Sequence, residues 1–207
     1  RKAILNEYFT PTGRLAVDTQ TGYLAALKFG VYMDKERILT GFKGRFKKDL
    51  NRLKGGFVGA TMMNCVLAEN GMADKAYDLL LYEGFPGWLY AVNLGATTIW
   101  ERWNSILPDG TVSGTGMNSL NHYAYGSIGN WLYTKLCGLE ILEPGYKKFA
   151  LRPQFVTGIT RAALEYESVY GKIAVAWRCE GGKITVDATV PANTTAELTL
   201  PEQPETL

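Results

Sequence analysis

Histidine and cysteine are scarce in this chain, and their scarcity argues against most metal and disulfide chemistry. The 207 residues include one His and three Cys (Cys65, Cys137 and Cys179), with no CxxC pair. Zinc sites and disulfide scaffolds need such residues in clusters or in even numbers. The cysteines lie among apolar neighbours instead, which predicts buried free thiols. We therefore expect no metal and no cofactor.

Strong net charge and long apolar runs are also missing. The formal net charge is +2, and no run of Lys or Arg lies beside stacking aromatic side chains, as a nucleic-acid surface would require. The densest basic stretch, residues 43–54, has the spacing of the solvent-facing side of an amphipathic helix. No apolar segment reaches the roughly 18 residues of a membrane span. We expect neither a nucleic-acid partner nor a membrane-spanning segment.

The beginning of the chain has neither a starting Met nor a signal peptide, since it opens with Arg1-Lys2-Ala3. This opening indicates that processing or truncation has removed a preceding segment. The compartment therefore stays open between the cytoplasm and export.

The first two thirds of the sequence have the period of helices. Apolar residues recur every three or four positions over residues 34–54, 59–69, 73–81 and 119–136. Each segment is followed by a glycine or an Asn-Gly signal for a helix end or a turn. Asp34 and Glu36 are predicted to be the N-cap and a first-turn charge of the first of these helices. Short connections between successive helices favour antiparallel neighbours.

The last third changes to the period of strands. Apolar residues alternate with polar or small ones on both sides of Gly181-Gly182, which predicts a hairpin. Residues 162–166 and 196–200 offer further strands. The boundary between the helical part and the strands is predicted near Glu143-Pro144-Gly145, where proline and glycine interrupt the helical pattern. We expect a helical part over residues 1–143 and a separate β-domain over residues 144–207.

A segment rich in aromatic rings and turns separates the third helix from the fourth. Trp100 and Trp103 bracket Glu101, and Trp88 precedes them. Sugar rings pack their C–H faces on aromatic surfaces, while their hydroxyls need charged or amide partners. The pattern fits a carbohydrate site. It also fits core tryptophans with Glu101 in an ion pair with Arg102 or another base.

The single histidine, His122, lies with two amide residues, Asn118 and Asn121, at the start of the fourth predicted helix. An imidazole there could hold a substrate hydroxyl. It could also serve as a structural hydrogen-bonding group, and the residues alone leave both interpretations open.

Five segments in order resemble a known family. They are TGRLAVDTQTGYLAAL, the Asn-Gly-linked helix pair, GATTIWERW with its following Pro-Asp-Gly turn, MNSLNHYAYGSIGNWLY and EPGYKKFALRP. Their order and spacing are similar to those of the C-terminal part of glycoside hydrolase family 78 α-L-rhamnosidases, over almost the whole chain. The resemblance implies part of an (α/α)6 barrel, with its active site in the barrel mouth, followed by an antiparallel β-sandwich.

The resemblance also implies a reaction and its residues. Family members hydrolyse terminal α-L-rhamnosyl residues with inversion, which needs an acid and a base roughly 6.5–9.5 Å apart. Glu101 matches the family's general base and His122 a histidine that contacts the sugar, and we expect Trp88, Trp100 and Trp103 to bind substrate. The family's general acid lies upstream of this sequence. The expected partners are a rhamnose-containing glycoside or polysaccharide and the missing N-terminal part of the same protein.

Three alternatives stay open. The chain could belong to an inverting (α/α)6 glycosidase for another sugar. It could be a non-catalytic carbohydrate-binding or interaction module, in which the aromatic residues bind glycan. It could also be a structural fragment that is ordered by packing on the missing part.

Overall fold

The computed structural model describes residues 1–156 and 158–200, which fall into two compact units, one over residues 1–127 and the other from residue 128 onward. The helices of the first unit are α1 (Lys2–Tyr8), α2 (Gln20–Lys28), α3 (Lys35–Lys48), α4 (Gly56–Glu69), α5 (Ala73–Leu80), α6 (Trp88–Asn93) and the 3₁₀ turn Ala124–Ser127. No helix in the described residues is long and apolar enough to cross a membrane.

Helix α4 is the centre of the first unit. It packs against α2, α5 and the 3₁₀ turn Ala124–Ser127, while α2 also packs against α3. Its sequence is apolar on almost every side, and Met63, Val66 and Leu67 are fully buried. A helix that is apolar all round needs neighbours on several sides. The structure thus confirms the helical character predicted for the first two thirds of the chain.

Helix α3 begins as predicted and ends early. The Asp34 carboxylate accepts hydrogen bonds from the Glu36 and Arg37 amides, as the predicted N-cap requires. Ile38 and Phe42 form its buried stripe with two further residues. The helix stops at Lys48 rather than near Lys54, because Leu50 and Asn51 have positive φ values of 58° and 54°. Leu50 is consequently exposed instead of continuing the stripe.

The fourth predicted helix also has different bounds. Residues 119–123 are not helical; the 3₁₀ turn Ala124–Ser127 comes first, followed by α7 (Ile128–Trp131) and a π-helical turn, Leu132–Leu136. Ser119 and His122 instead make main-chain hydrogen bonds to residues 99–101. These long-range bonds satisfy backbone groups that a longer helix would have used internally.

The second unit contains two three-stranded sheets. Their strands are β1 (Leu139–Ile141), β2 (Lys148–Leu151), β3 (Arg161–Ser168), β4 (Gly171–Glu180), β5 (Lys183–Thr189) and β6 (Thr195–Leu198). The order of one sheet is β1-β2-β6 and that of the other is β3-β4-β5. The predicted hairpin is present as β4–β5, with Gly181 and Gly182 at φ values of 56° and 76° in its turn, the conformation of a two-residue turn that suits the strand twist.

Two details of the second unit differ from the sequence predictions. The β2–β6 pair is parallel, with Lys148 opposite Thr195, whereas we expected only antiparallel strands. A parallel pair needs a long connection, and β3, β4 and β5 provide it. Cys179, at the end of β4 near the turn, is only partly buried, while Cys65 and Cys137 are buried as predicted.

Candidate active site

Residues 99–101 and 119–122 are held together by main-chain and side-chain hydrogen bonds. The Glu101 amide donates to the Ser119 carbonyl oxygen over 2.9 Å, and the His122 amide donates to the Ile99 carbonyl oxygen over 2.7 Å. In return, the Ser119 amide donates to Glu101 Oε2 over 2.7 Å. The carboxylate and the imidazole, distant in sequence, are therefore carried by neighbouring segments.

Glu101 is a buried carboxylate, 9% exposed. No Lys or Arg forms an ion pair with it within the part of the chain that the structure describes. The sequence suggested Arg102 as an ion-pair partner of Glu101. Its guanidinium donates instead to the Met117 carbonyl over 2.9 Å and to the Gly116 carbonyl. The ion-pair interpretation of Glu101 with Arg102 is therefore wrong. A buried carboxylate with a single main-chain donor is expensive to desolvate, which is a common property of functional groups.

A cavity of about 380 Å³ adjoins Glu101. Its lining includes the aromatic residues Phe57, Phe85, Trp103 and Tyr125 together with Arg102 and Met117. Glu101 Oε2 is fixed by the Ser119 amide, whereas Oε1 accepts no hydrogen bond from the described residues. The second oxygen can therefore accept a proton or a hydrogen bond from a molecule in the cavity.

The three tryptophans of the sequence prediction occupy different positions. Trp88 and Trp100 are 8% and 6% exposed, and the Trp88 indole donates to the Tyr125 carbonyl over 3.0 Å. Both line a second cavity of about 260 Å³. Trp103 lines both cavities, as does Tyr125. Of the three indoles, Trp103 is thus the one that lines the cavity beside Glu101.

His122 is half-buried beside Phe57, which lines the Glu101 cavity. The two rings stack with centroids 5.0 Å apart, and Tyr123 stacks on the same imidazole at 4.9 Å. His122 Nδ1 accepts a hydrogen bond from the Ala124 amide over 3.2 Å. Because Nδ1 is the acceptor, Nε2 carries the proton and is the donor of this side chain.

Sequence reasoning missed several residues of this site. Phe57 and Phe85 gave no signal beyond their proximity to glycine and proline turns, although both line the cavity. Tyr125 lies in the NHYAYGS run, and burial raises the pKa of its phenol, which keeps it neutral. Ser119 contributes through its amide, so its side chain carries no sign of the role.

Comparison with known proteins identifies the family. The model of the bacterial α-L-rhamnosidase six-hairpin glycosidase domain matches residues 1–136, and that of the bacterial α-L-rhamnosidase C-terminal domain matches residues 138–207. The chain belongs to this α-L-rhamnosidase family. The helices and two small sheets described above agree with the fold that the sequence resemblance implies.

Relatives of this chain include curated proteins and solved structures. An α-L-rhamnosidase of Formosa agariphila is 38% identical over 97% of this chain, and one of Streptomyces avermitilis is 36% identical over 97%. The crystal structure of a Streptomyces avermitilis α-L-rhamnosidase complexed with L-rhamnose superposes with a TM-score of 0.91 at 35% identity, covering 97% of this chain and 20% of that one. The native enzyme from Aspergillus terreus gives a TM-score of 0.91 at 32% identity, over 97% of this chain and 24% of that one.

The chain spans only part of the length of these relatives. It matches 22% of the length of the Formosa agariphila enzyme and 20% of the Streptomyces avermitilis enzyme.

Proposed function

We propose that this chain is part of an α-L-rhamnosidase that releases terminal α-L-rhamnosyl residues with inversion, and that Glu101 is its general base. The observation that carries the proposal is the state of the Glu101 carboxylate. It is buried beside a cavity, one oxygen is anchored by the Ser119 amide, and the other has no donor among the described residues. A general base needs this combination of a fixed position and a free lone pair.

The proposed step is a direct displacement by water. Glu101 Oε1 takes a proton from a water molecule while the water oxygen attacks the anomeric carbon of the rhamnosyl group. The bond from that carbon to the leaving oxygen breaks, and a general acid protonates the leaving oxygen. We expect that acid in the remaining part of the same protein, because the family's acidic motif lies upstream of this sequence.

Two other groups have supporting roles in the proposal. His122 Nε2 is a hydrogen-bond donor, since Nδ1 already accepts from the Ala124 amide, so it suits a sugar hydroxyl. The Trp103 indole, stacked on Tyr125, offers a flat apolar surface to a sugar face and excludes water from the carboxylate. Trp88 packs edge-on against the Trp103 indole, and Trp100 lines the second cavity beside these rings.

The relatives favour rhamnose over other sugars. The chain is 35% identical to a Streptomyces avermitilis enzyme that was crystallised with L-rhamnose. Transfer of that substrate class to this chain is part of the proposal, since the segment covers 20% of that protein.

The test uses the complete gene product that contains this chain. Activity on a panel of chromogenic glycosides identifies the sugar, and NMR of the first product shows the anomeric configuration. The variant Glu101→Gln keeps the shape and removes the basicity, so kcat should fall by about 10²–10⁴-fold with KM little changed. Glu83→Gln, which changes an exposed carboxylate of the same unit, is the matched control.

Azide gives the decisive arm of this test. A small anion can replace the activated water in Glu101→Gln, and the product is then the rhamnosyl azide of inverted configuration. Normal kcat in Glu101→Gln would overturn the assignment of the base, and a retained configuration in the unmodified protein would overturn the mechanism. Absence of all glycosidase activity, together with glycan binding, would instead support a carbohydrate-binding module.

A further inference from the structure

Arg102 follows Glu101 directly and makes contacts of its own with the segment that reaches the carboxylate. Its Nε–H donates to the Met117 carbonyl over 2.9 Å, and its Nη2–H donates to the Gly116 carbonyl. Its amide donates to Ser105 Oγ over 3.1 Å. The planar guanidinium thus hydrogen-bonds two consecutive carbonyl oxygens, which its rigid, planar set of N–H donors favours.

The Gly116 and Met117 carbonyls lie close in sequence to Ser119, whose amide is the one hydrogen-bond donor to the Glu101 carboxylate among the described residues. Ser119, which supplies the amide to Glu101 Oε2, follows Met117 by two residues. Met117 has a φ of 50°, a left-handed conformation that is unfavourable for a residue with a Cβ atom. A segment in such a conformation needs external contacts to hold it, and Arg102 provides charged ones.

A second set of contacts holds the other side of the same segment. The Asn118 side-chain amide donates to the carbonyl of Gly114 over 2.7 Å and to that of Ser105 over 3.3 Å. Ser105 is completely buried, and its hydroxyl donates to the Arg102 carbonyl over 3.1 Å. The turn at residues 102–105 is therefore hydrogen-bonded to residues 116–118 and fixes their position.

We infer that Arg102 is a positioning residue for Glu101. Its guanidinium fixes the Gly116–Met117 carbonyls, so that the Ser119 amide stays on Oε2 and the other carboxylate oxygen stays directed to the water. The inference rests on the proposed function of Glu101 as the base. It assigns Arg102 to the placement of Glu101, and it excludes a role for Arg102 as the ion-pair partner of that carboxylate.

The substitutions that test this inference are Arg102→Ala and Arg102→Lys in the complete gene product. Arg102→Ala removes both donors to the carbonyls, and displacement of a catalytic group by about 1 Å can lower kcat by about 10²-fold. KM should change less than kcat, because the guanidinium, although it lines the cavity, already donates to the Met117 and Gly116 carbonyls. Arg102→Lys keeps the charge but lacks the fork, so its kcat should lie between those of Arg102→Ala and the unmodified protein. Added guanidinium ion should restore part of the kcat of Arg102→Ala.

A measurement independent of activity follows the loop itself. Hydrogen exchange by mass spectrometry should show faster exchange of the peptide over residues 113–120 in Arg102→Ala, with exchange of helix α4 unchanged. Arg37→Ala, which removes an exposed arginine of the same unit, is the matched control and should alter neither quantity. Should Arg102→Ala fail to fold, Arg102→Lys carries both measurements.

The outcomes separate this inference from the proposed function. A lower kcat at constant KM, faster exchange at residues 113–120 and rescue by guanidinium support the positioning role. Unchanged kcat and exchange in both Arg102 variants, or a raised KM at constant kcat, overturn it. Normal kcat in Glu101→Gln overturns the proposed function instead, and the exchange measurement then still decides whether Arg102 fixes the loop.

Discussion

The ring of Trp103 stacks on the ring of Tyr125, with centroids 3.8 Å apart and planes 22° from parallel. Trp88 meets the same indole edge-on at 5.1 Å. Trp103 and Tyr125 line both the cavity beside Glu101 and the second cavity, so the stacked pair forms part of the wall of each.

The first prediction concerns this wall. Trp103→Ala should lower the free energy of unfolding by about 0.5–1.5 kcal/mol or more, the contribution of an aromatic pair. It should also raise KM, since the apolar surface beside Glu101 is gone. Trp103→Phe keeps one stacking ring and should retain most of both properties. Thermal melting and steady-state kinetics of the complete gene product check this, and equal effects of the two substitutions would contradict it.

The second prediction concerns His122. His122→Ala removes the Nε2 donor, so KM for the rhamnoside should rise at least as much as kcat falls. Tyr123→Phe, which keeps the neighbouring stacked ring, is the control and should behave normally. A fall in kcat alone would mean that the imidazole acts on the reaction rather than on binding.

The third prediction concerns the chain on its own. Residues 1–207 contain one proposed catalytic carboxylate, and the helical unit exposes Phe29 by 71% and Val58 by 65%. Exposed apolar surface of this kind favours association or instability. We expect the purified chain to lack rhamnosidase activity and to self-associate in gel filtration. Turnover that survives removal of host enzymes would show that a general acid lies within these residues.

The fourth prediction uses a buried carboxylate far from the site in sequence. Asp49, 5% exposed, accepts two hydrogen bonds from the Arg45 guanidinium and one from Gln20 Nε2 over 3.1 Å. Asp49→Asn should destabilise the helical unit by about 1–3 kcal/mol, because buried donors lose a charged acceptor. Asp18→Asn changes a half-exposed partner of Arg45 and should have an effect of about 0–1 kcal/mol. Chemical unfolding, monitored by hydrogen exchange in helix α3, compares the stabilities of the two variants.

The fifth prediction is a pH dependence. Burial raises the pKa of the Cys137 thiol to about 11, from an ordinary value of 9.0. Between these values the unfolded chain loses the proton and the folded chain keeps it, so this group lowers stability as pH rises through that window. Near pH 9, iodoacetamide should modify the partly exposed Cys179 before Cys137, as peptide mass spectrometry can show. Simultaneous modification of both in the folded protein would contradict the burial.

Local features of the fold could be predicted from the sequence. The N-cap at Asp34 and the hairpin turn at Gly181-Gly182 depend on a few adjacent residues, whose types carry the signal. The end of α3 could not be predicted in the same way. Leu50 continues the apolar spacing, but the chain turns into a left-handed conformation there. Just beyond it, Gln20 of helix α2 hydrogen-bonds the Arg52 carbonyl and the Lys54 amide, which are long-range contacts.

The site was predictable only in part, for a related reason. Glu101 and His122 became candidates through the resemblance to the rhamnosidase family, since the residues alone left structural roles open for both. The donor to Glu101 is a main-chain amide 18 residues further along the chain, and every residue except proline has such an amide. The hydrogen-bond partners of the Arg102 guanidinium could not be predicted either. Its neighbour in sequence, Glu101, suggests an ion pair, but the guanidinium donates to the Met117 carbonyl.

The parallel pairing of β2 with β6 determines when the second unit can be completed. Strand β2 lies between β1 and β6, and β6 follows the whole of the β3-β4-β5 sheet in the chain. During synthesis the β1–β2 hairpin therefore emerges from the ribosome with one edge unpaired, until residues 195–198 arrive. A ribosome that stalls in between leaves a nascent chain with an open strand edge, the kind of surface that chaperones cover.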